Sequence, residues 1–196
     1  MKIYGERLSR AERVLWALDE CEVDYEHSPD PVSGEKTQQL LSINADGAIP
    51  TLDDNGFVIT QSWAINLYLA RCYGGSLASA NPQEEAKILQ WTFWAATDVE
   101  NTIIGSIHAT GMLDPEQRNP ELVATHFSSL QRPLTALNEA LENRDYLVGD
   151  RFTIGDLNAV SIVSWLVLLG FDFSNLSATK QWINRCMQRP HFPVRG

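Results

Sequence analysis

The 196-residue chain is 44% hydrophobic, 20% charged and 9% aromatic, and carries a formal charge of −10 at neutral pH. Such a length admits one domain or two small ones, with a substantial buried core. The acidic balance speaks against nucleic-acid binding and adhesion to anionic membranes, which rely on a Lys/Arg surplus, and no apolar run approaches the ~20 residues that span a bilayer. Cys21, Cys72 and Cys186 lie far apart and form no metal or redox spacing. Each falls in a helical apolar pattern, so three buried thiols are expected. An odd number of cysteines without a secretory leader fits a reducing, cytoplasmic setting.

Taken in order, residues 2–4 read as a short strand and 5–8 as a loop. Ser9 is a good N-cap, and Ala11, Val14, Leu15, Leu18 and Cys21 recur at helical spacing behind it. Residues 23–27 form a second strand, 28–34 a loop rich in Pro and Gly, and 36–43 a short helix. Residues 49–52 and 57–59 make two strands around a turn at 53–56 with an Asn-Gly signal. A helix over 62–73 closes this half, ended by Gly74-Gly75. The order βαβαββα in ~75 residues is too short for a doubly wound dinucleotide fold, whose βαβ units take ~30 residues each.

Within this half, Ile49-Pro50 and Gln61-Ser62 attract a binding interpretation. An X-Pro bond tolerates the cis form, which would turn the Ile49 N–H and C=O outward toward an extended, peptide-like ligand. Gln61 and Ser62 open a helix, where unpaired N–H groups and the dipole favour a carboxylate. An ordinary turn proline and an ordinary N-cap account equally for these residues taken alone.

After a small-residue linker the character becomes helical. Asn81-Pro82-Gln83-Glu84 is a strong start signal for one long helix carrying Ile88, Trp91, Ala95, Ile103 and Ile107 as far as His108. Asn119-Pro120 opens a second, which Pro133 should kink. Thr153 and Asp156 form a capping box, with Phe152 and Leu157 as its hydrophobic staple. That capping role explains Asp156 without a catalytic one. The helix over 154–169 is apolar all round and should be the buried centre. A last helix over 179–187 stops before Pro190. His27, His108, His126 and His191 have no ligand spacing, and no metal site is expected.

Five segments together resemble a cytosolic glutathione S-transferase of bacterial, serine-type character. They are Ser9-Arg10-Ala11-Glu12-Arg13-Val14-Leu15-Trp16-Ala17-Leu18, residues 44–52 around Ile49-Pro50, residues 61–65 from Gln61-Ser62, residues 146–156 ending in Asp156, and residues 182–186. The resemblance implies a thioredoxin-like βαβαββα domain over 1–76, a linker over 77–81 and an all-helical domain over 82–196. It also implies a transferase that activates the glutathione thiol for attack on an apolar electrophile, in the detoxifying manner of the family. Glutathione is then a co-substrate, no cofactor is needed, and a homodimer is expected.

By the same resemblance, Ser9 sits where serine-type members place the thiolate-stabilising hydroxyl. Tyr4 at the end of the first strand is its rival, since tyrosine-type members use that position. No cysteine lies near the first loop, which argues against the cysteine-type chemistry of mixed disulfides. Ile49 and Pro50 would face the cysteinyl backbone of glutathione, Gln61 and Ser62 its γ-glutamyl carboxylate, and Lys36 its glycine carboxylate. The electrophile would lie by the first loop and the region of Trp91, Trp94 and Met112. Most relatives carry Glu in place of Gln61 and many carry Lys in place of Ala48, which implies weaker glutathione binding. Two alternatives stay open: a non-catalytic interaction or regulatory protein of the same fold, and a glutathione-dependent peroxidase, isomerase or dehalogenase.

Overall fold

A computed structural model describes residues 1–112 and 114–193. Two compact units form: residues 1–78 with the described end of the chain from Pro190, and residues 79–189. In the first, the order is β1 (Lys2–Tyr4), α1 (Ala11–Glu20), β2 (Glu26–Ser28), α2 (Gln38–Ile43), β3 (Thr51–Asp54), β4 (Phe57–Thr60) and α3 (Ser62–Tyr73). This is the expected βαβαββα sequence. The sheet runs β2-β1-β3-β4, with β1 parallel to β2 and antiparallel to β3, and β3 antiparallel to β4. Ile3 and Tyr4 on the central strand are buried, as is every residue of α1 from Ala11 to Leu18.

Two strands sit further along the chain than their patterns indicate. β2 begins at Glu26 because Tyr4 pairs with Ser28 in the parallel register. β3 runs through Asp53 and Asp54 because the hairpin needs only Asn55 and Gly56 as its turn, both at positive φ (54° and 95°). The Asp53 carboxylate accepts the Gly56 N–H at 2.7 Å. Asp54 then ties the hairpin to α3 by accepting the hydroxyls of Tyr68 and Tyr73, which hold its carboxyl below the usual range.

The second unit contains α4 (Pro82–Trp94), α5 (Glu100–Ala109), α6 (Pro120–Ala140), α7 (Ile154–Val163), α8 (Trp165–Leu168) and α9 (Ser177–Met187). The single long helix expected up to His108 is split by a π turn over Ala95–Val99. The helix expected over 154–169 breaks at Ser164 into α7 and α8, and all of α7 is buried. α6 continues through Pro133 as one element.

The capping box at α7 is present. Asp156, fully buried, accepts from the Thr153 N–H and hydroxyl (3.0 Å each), the Leu147 N–H (2.8 Å) and the Trp182 indole (2.9 Å). Burial raises its pKa against the pull of those donors. Near the start of α4, Arg151 makes a two-pronged pair with Glu84 at 2.7 and 3.2 Å. That pair and the Ala80 N–H bring the Glu84 carboxyl down to about 2. No helix among the described residues is long and apolar enough to cross a membrane.

Candidate functional site

Three short segments of the first unit supply the residues singled out from sequence: the loop from Gly5 to Ser9, the turn at Ile49-Pro50, and the start of α3. Gly5 joins the first two. It adopts φ 138°, and a Cβ there would lie 2.7 Å from the Ala11 Cβ and 3.2 Å from the Ile49 Cβ. Only a residue without a side chain lets the start of α1 approach the Ile49 turn so closely. The His27 imidazole contacts the Gly5 carbonyl at 2.7 Å through Nε2, holding the loop from the β2 side.

The Ile49–Pro50 bond is cis. Asn44 braces the turn, donating from Nδ2 to the Ala48 carbonyl (3.2 Å) and to Thr51 Oγ1 (3.0 Å), while the buried Thr51 hydroxyl donates to the same carbonyl at 2.7 Å. Among the described residues, nothing accepts from the Ile49 N–H or donates to its carbonyl. Both groups are therefore available to an extended ligand.

Ser9 is half-buried and lies one residue before the α1 N-cap, Arg10. Its hydroxyl accepts the Ala11 N–H at 3.0 Å and donates to the Glu6 carbonyl at 2.6 Å. The N-cap is therefore Arg10 and not Ser9 as expected, yet the Ser9 hydroxyl still takes a helix N–H from one residue further out, while its one proton is held by Glu6. Glu6 is itself anchored: its N–H donates to the Asp30 carbonyl and its carboxylate accepts the Val32 N–H. Asp30 is buried, which opposes its charge. Bonds from the Thr37 N–H and the Ser28 hydroxyl, with the Lys36 charge, outweigh that and hold the carboxyl below its usual range.

Tyr4 differs from Ser9 in access. It is 1% exposed, and burial, then the charges of Asp53, Asp30 and Glu26, raise its pKa. The phenol stays neutral at physiological pH and is a donor only to what reaches it in the core. At α3, Gln61 adopts φ 68° and its side chain caps nothing. Ser62 is 2% exposed, and among the described residues its hydroxyl has no partner. Lys36 turns back on its own loop, donating to the carbonyls of Pro31 and Val32.

The thiols fall outside this cluster, and the expectation of three buried cysteines is corrected. Cys186 is buried, Cys21 is half-buried and Cys72 is exposed near the end of α3. Burial, then the charge of Glu20, pushes the Cys21 thiol up to about 11, so it stays protonated. In the helical unit, Trp91 and Trp94 meet edge-on at 5.4 Å; Trp91 is buried, and Met112 is exposed. Among the described residues no group of three or more His, Cys, Asp or Glu is arranged to hold a metal. Sequence inspection missed Gly5, Glu6, Asn44 and His27. Only Gly5 left a local signal, a glycine directly after a strand.

Residues 1–71 match the family model for the glutathione S-transferase N-terminal domain, and residues 101–190 the one for the C-terminal domain. Glutathione S-transferase hmp2 of Hypomyces subiculosus is 30% identical over 93% of this chain and 96% of its own length. Glutathione S-transferase F13 of Arabidopsis thaliana is 31% identical over 82% of this chain and 77% of its own. Among solved structures, the theta-class glutathione S-transferase of Xanthomonas axonopodis pv. citri with glutathione bound superposes with a TM-score of 0.86 at 25% identity, covering 97% and 94% of the two chains.

Proposed function

The chain belongs to the glutathione S-transferase family, and from that premise we propose that it binds glutathione on the sheet-bearing unit, holds its sulfur as thiolate through Ser9, and transfers it to an apolar electrophile. The observation that carries this reading is the close approach of Gly5 to both Ala11 and Ile49, which sets the start of α1, just after Ser9, beside the turn whose main-chain groups are open. In the proposed complex the glutathione cysteine pairs with Ile49 beside Pro50. The γ-glutamyl carboxylate takes the Ser62 hydroxyl and the free N–H groups at the start of α3, where the helix dipole favours it. Lys36 would serve the glycine carboxylate by releasing one of its two loop carbonyls.

A cysteine thiol has a pKa near ~8.5, so little thiolate exists at neutral pH. Lowering that by one unit takes ~1.4 kcal/mol of preference for the anion. A hydrogen bond to a charged acceptor contributes roughly 1.5–3 kcal/mol, against about 0.5–1.5 for one to a neutral carbonyl. Ser9 therefore gains by rotating its proton from the Glu6 carbonyl to a thiolate, while Ala11 still donates to its oxygen. The thiol proton leaves to solvent, the sulfur lone pair forms the new C–S bond, and a leaving group departs with the electron pair of the bond that breaks. No group in this scheme needs a cofactor. A homodimer in the cytoplasm belongs to the same proposal, by family resemblance and by the three free thiols.

Ser9→Ala and Tyr4→Phe separate the two candidate donors. Turnover of an activated aryl halide with glutathione should fall at least about tenfold in Ser9→Ala, the size of ~1.4 kcal/mol in the barrier, and stay near wild type in Tyr4→Phe. The reverse order of losses assigns the thiolate to Tyr4.

A further inference from the structure

We propose that Arg13 is a positioning residue that fixes the two helix starts of the glutathione site relative to each other; the inference rests on the glutathione-binding reading above. Arg13 follows Ser9 by four residues, about one helical turn, and is only 7% exposed. Its guanidinium carbon lies 3.7 Å from the centroid of the Trp63 ring, on the residue directly after Ser62. Less than one turn further along α3, the buried Asn66 donates from Nδ2 to the Arg13 carbonyl at 3.3 Å. One residue thus joins the first turn of α1 to the first two turns of α3 twice, by side chain and by main chain.

The two helix starts so joined carry the groups that must act on one ligand: Ser9 on its sulfur, Gln61 and Ser62 on its γ-glutamyl end. Their separation has to match the fixed length of that ligand, since small misplacements in a preorganised site are costly. A planar guanidinium stacked on an indole sets such a distance, whereas a lysine ammonium on a flexible stem does not. The local sequence explains neither partner: an arginine on a helix usually reaches water, and a Trp after an N-cap is usually core.

The test measures glutathione affinity by calorimetry and thermal stability for wild type, Arg13→Met, Trp63→Leu and the double variant. Each single change should weaken glutathione about tenfold (~1.4 kcal/mol), and the double variant no further, because both remove one contact. Arg13→Lys should recover only part of the loss, and the KM for the electrophile should not move. Lower melting temperatures with unchanged glutathione affinity would mean that the stack is packing alone, and additive losses would mean that the residues act separately; either overturns the inference. If Arg13→Met does not fold, Arg13→Lys and Trp63→Phe carry the test, with losses of about threefold expected and wild-type affinity in both contradicting it. A wild-type protein that binds no glutathione overturns the functional reading itself, and this inference with it. Wild-type binding with indifferent variants overturns this inference alone.

Discussion

The starts of α3 and α7 both set two polar side chains at the head of an apolar helix, and do opposite things. At α7, Thr153 and Asp156 satisfy one another, and Asp156 also takes the Leu147 N–H and the Trp182 indole, so the helix end is sealed and buried. At α3, the Gln61 side chain caps nothing, and the Ser62 hydroxyl has no partner among the described residues. An acceptor supplied by the chain makes a helix start structural. Its absence leaves N–H groups that a ligand carboxylate can take. The start of α1 is intermediate: Ser9 accepts the Ala11 N–H but keeps a proton that it can move.

Breaking the sealed end should have the largest effect on folding. Asp156→Ala strands three N–H donors in the core and should cost about 3–5 kcal/mol in urea unfolding, by the measure of losing one partner of a buried charged network. A loss below ~1 kcal/mol would show that the box is dispensable. At the intermediate start of α1, Ser9→Ala should lower stability by only about 0.5–2 kcal/mol, the range for a lost N-cap, while activity suffers as described above. Gly5→Ala sharpens the comparison from the backbone side. With a Cβ 2.7 Å from Ala11 and φ at 138°, it should push the Ile49 turn from α1 and weaken glutathione in calorimetry by more than about tenfold (~1.4 kcal/mol). Gln61→Glu supplies a charge for the ligand ammonium and should tighten binding about two- to fivefold, the ~0.5–1 kcal/mol of an exposed ion pair.

The smallest effect is expected at Glu84 and Arg151. Glu84 has its folded pKa depressed from about 4.3 to about 2. Its contribution is therefore present above the unfolded value and lost as pH falls through that window. Glu84→Gln should lower stability slightly near neutrality, and the difference from wild type should close as pH falls through that window, which urea midpoints from neutral to acid pH would register.

The element order was legible because strands and helices here follow their local periods, and so was the Thr153–Asp156 cap, whose partners are three residues apart. The offsets of β2 and β3 were not, because the pairing of Tyr4 with Ser28 and of Lys2 with Asp53 decides them. The π turn at Ala95–Val99 interrupts a helix whose residues read as helical throughout. In the candidate site, Ile49 and Ser62 were singled out from an X-Pro step and a helix start, and Ser9 through the family resemblance. The Glu6 hold on the Ser9 proton and the Arg13–Trp63 stack were invisible, since each depends on where a distant segment packs. Lys36, expected to open a helix over 36–43, instead precedes α2, whose N-cap is Thr37, and its ammonium faces two carbonyls of its own loop.

The central claim is that Ser9 lends its proton to a glutathione thiolate, and titrating the thiol of bound glutathione by its thiolate ultraviolet absorbance tests it directly. The account predicts a bound pKa at least about one unit below the ~8.5 of a free thiol in the wild-type protein, returning toward that value in Ser9→Ala. The same depressed pKa in both proteins would contradict it.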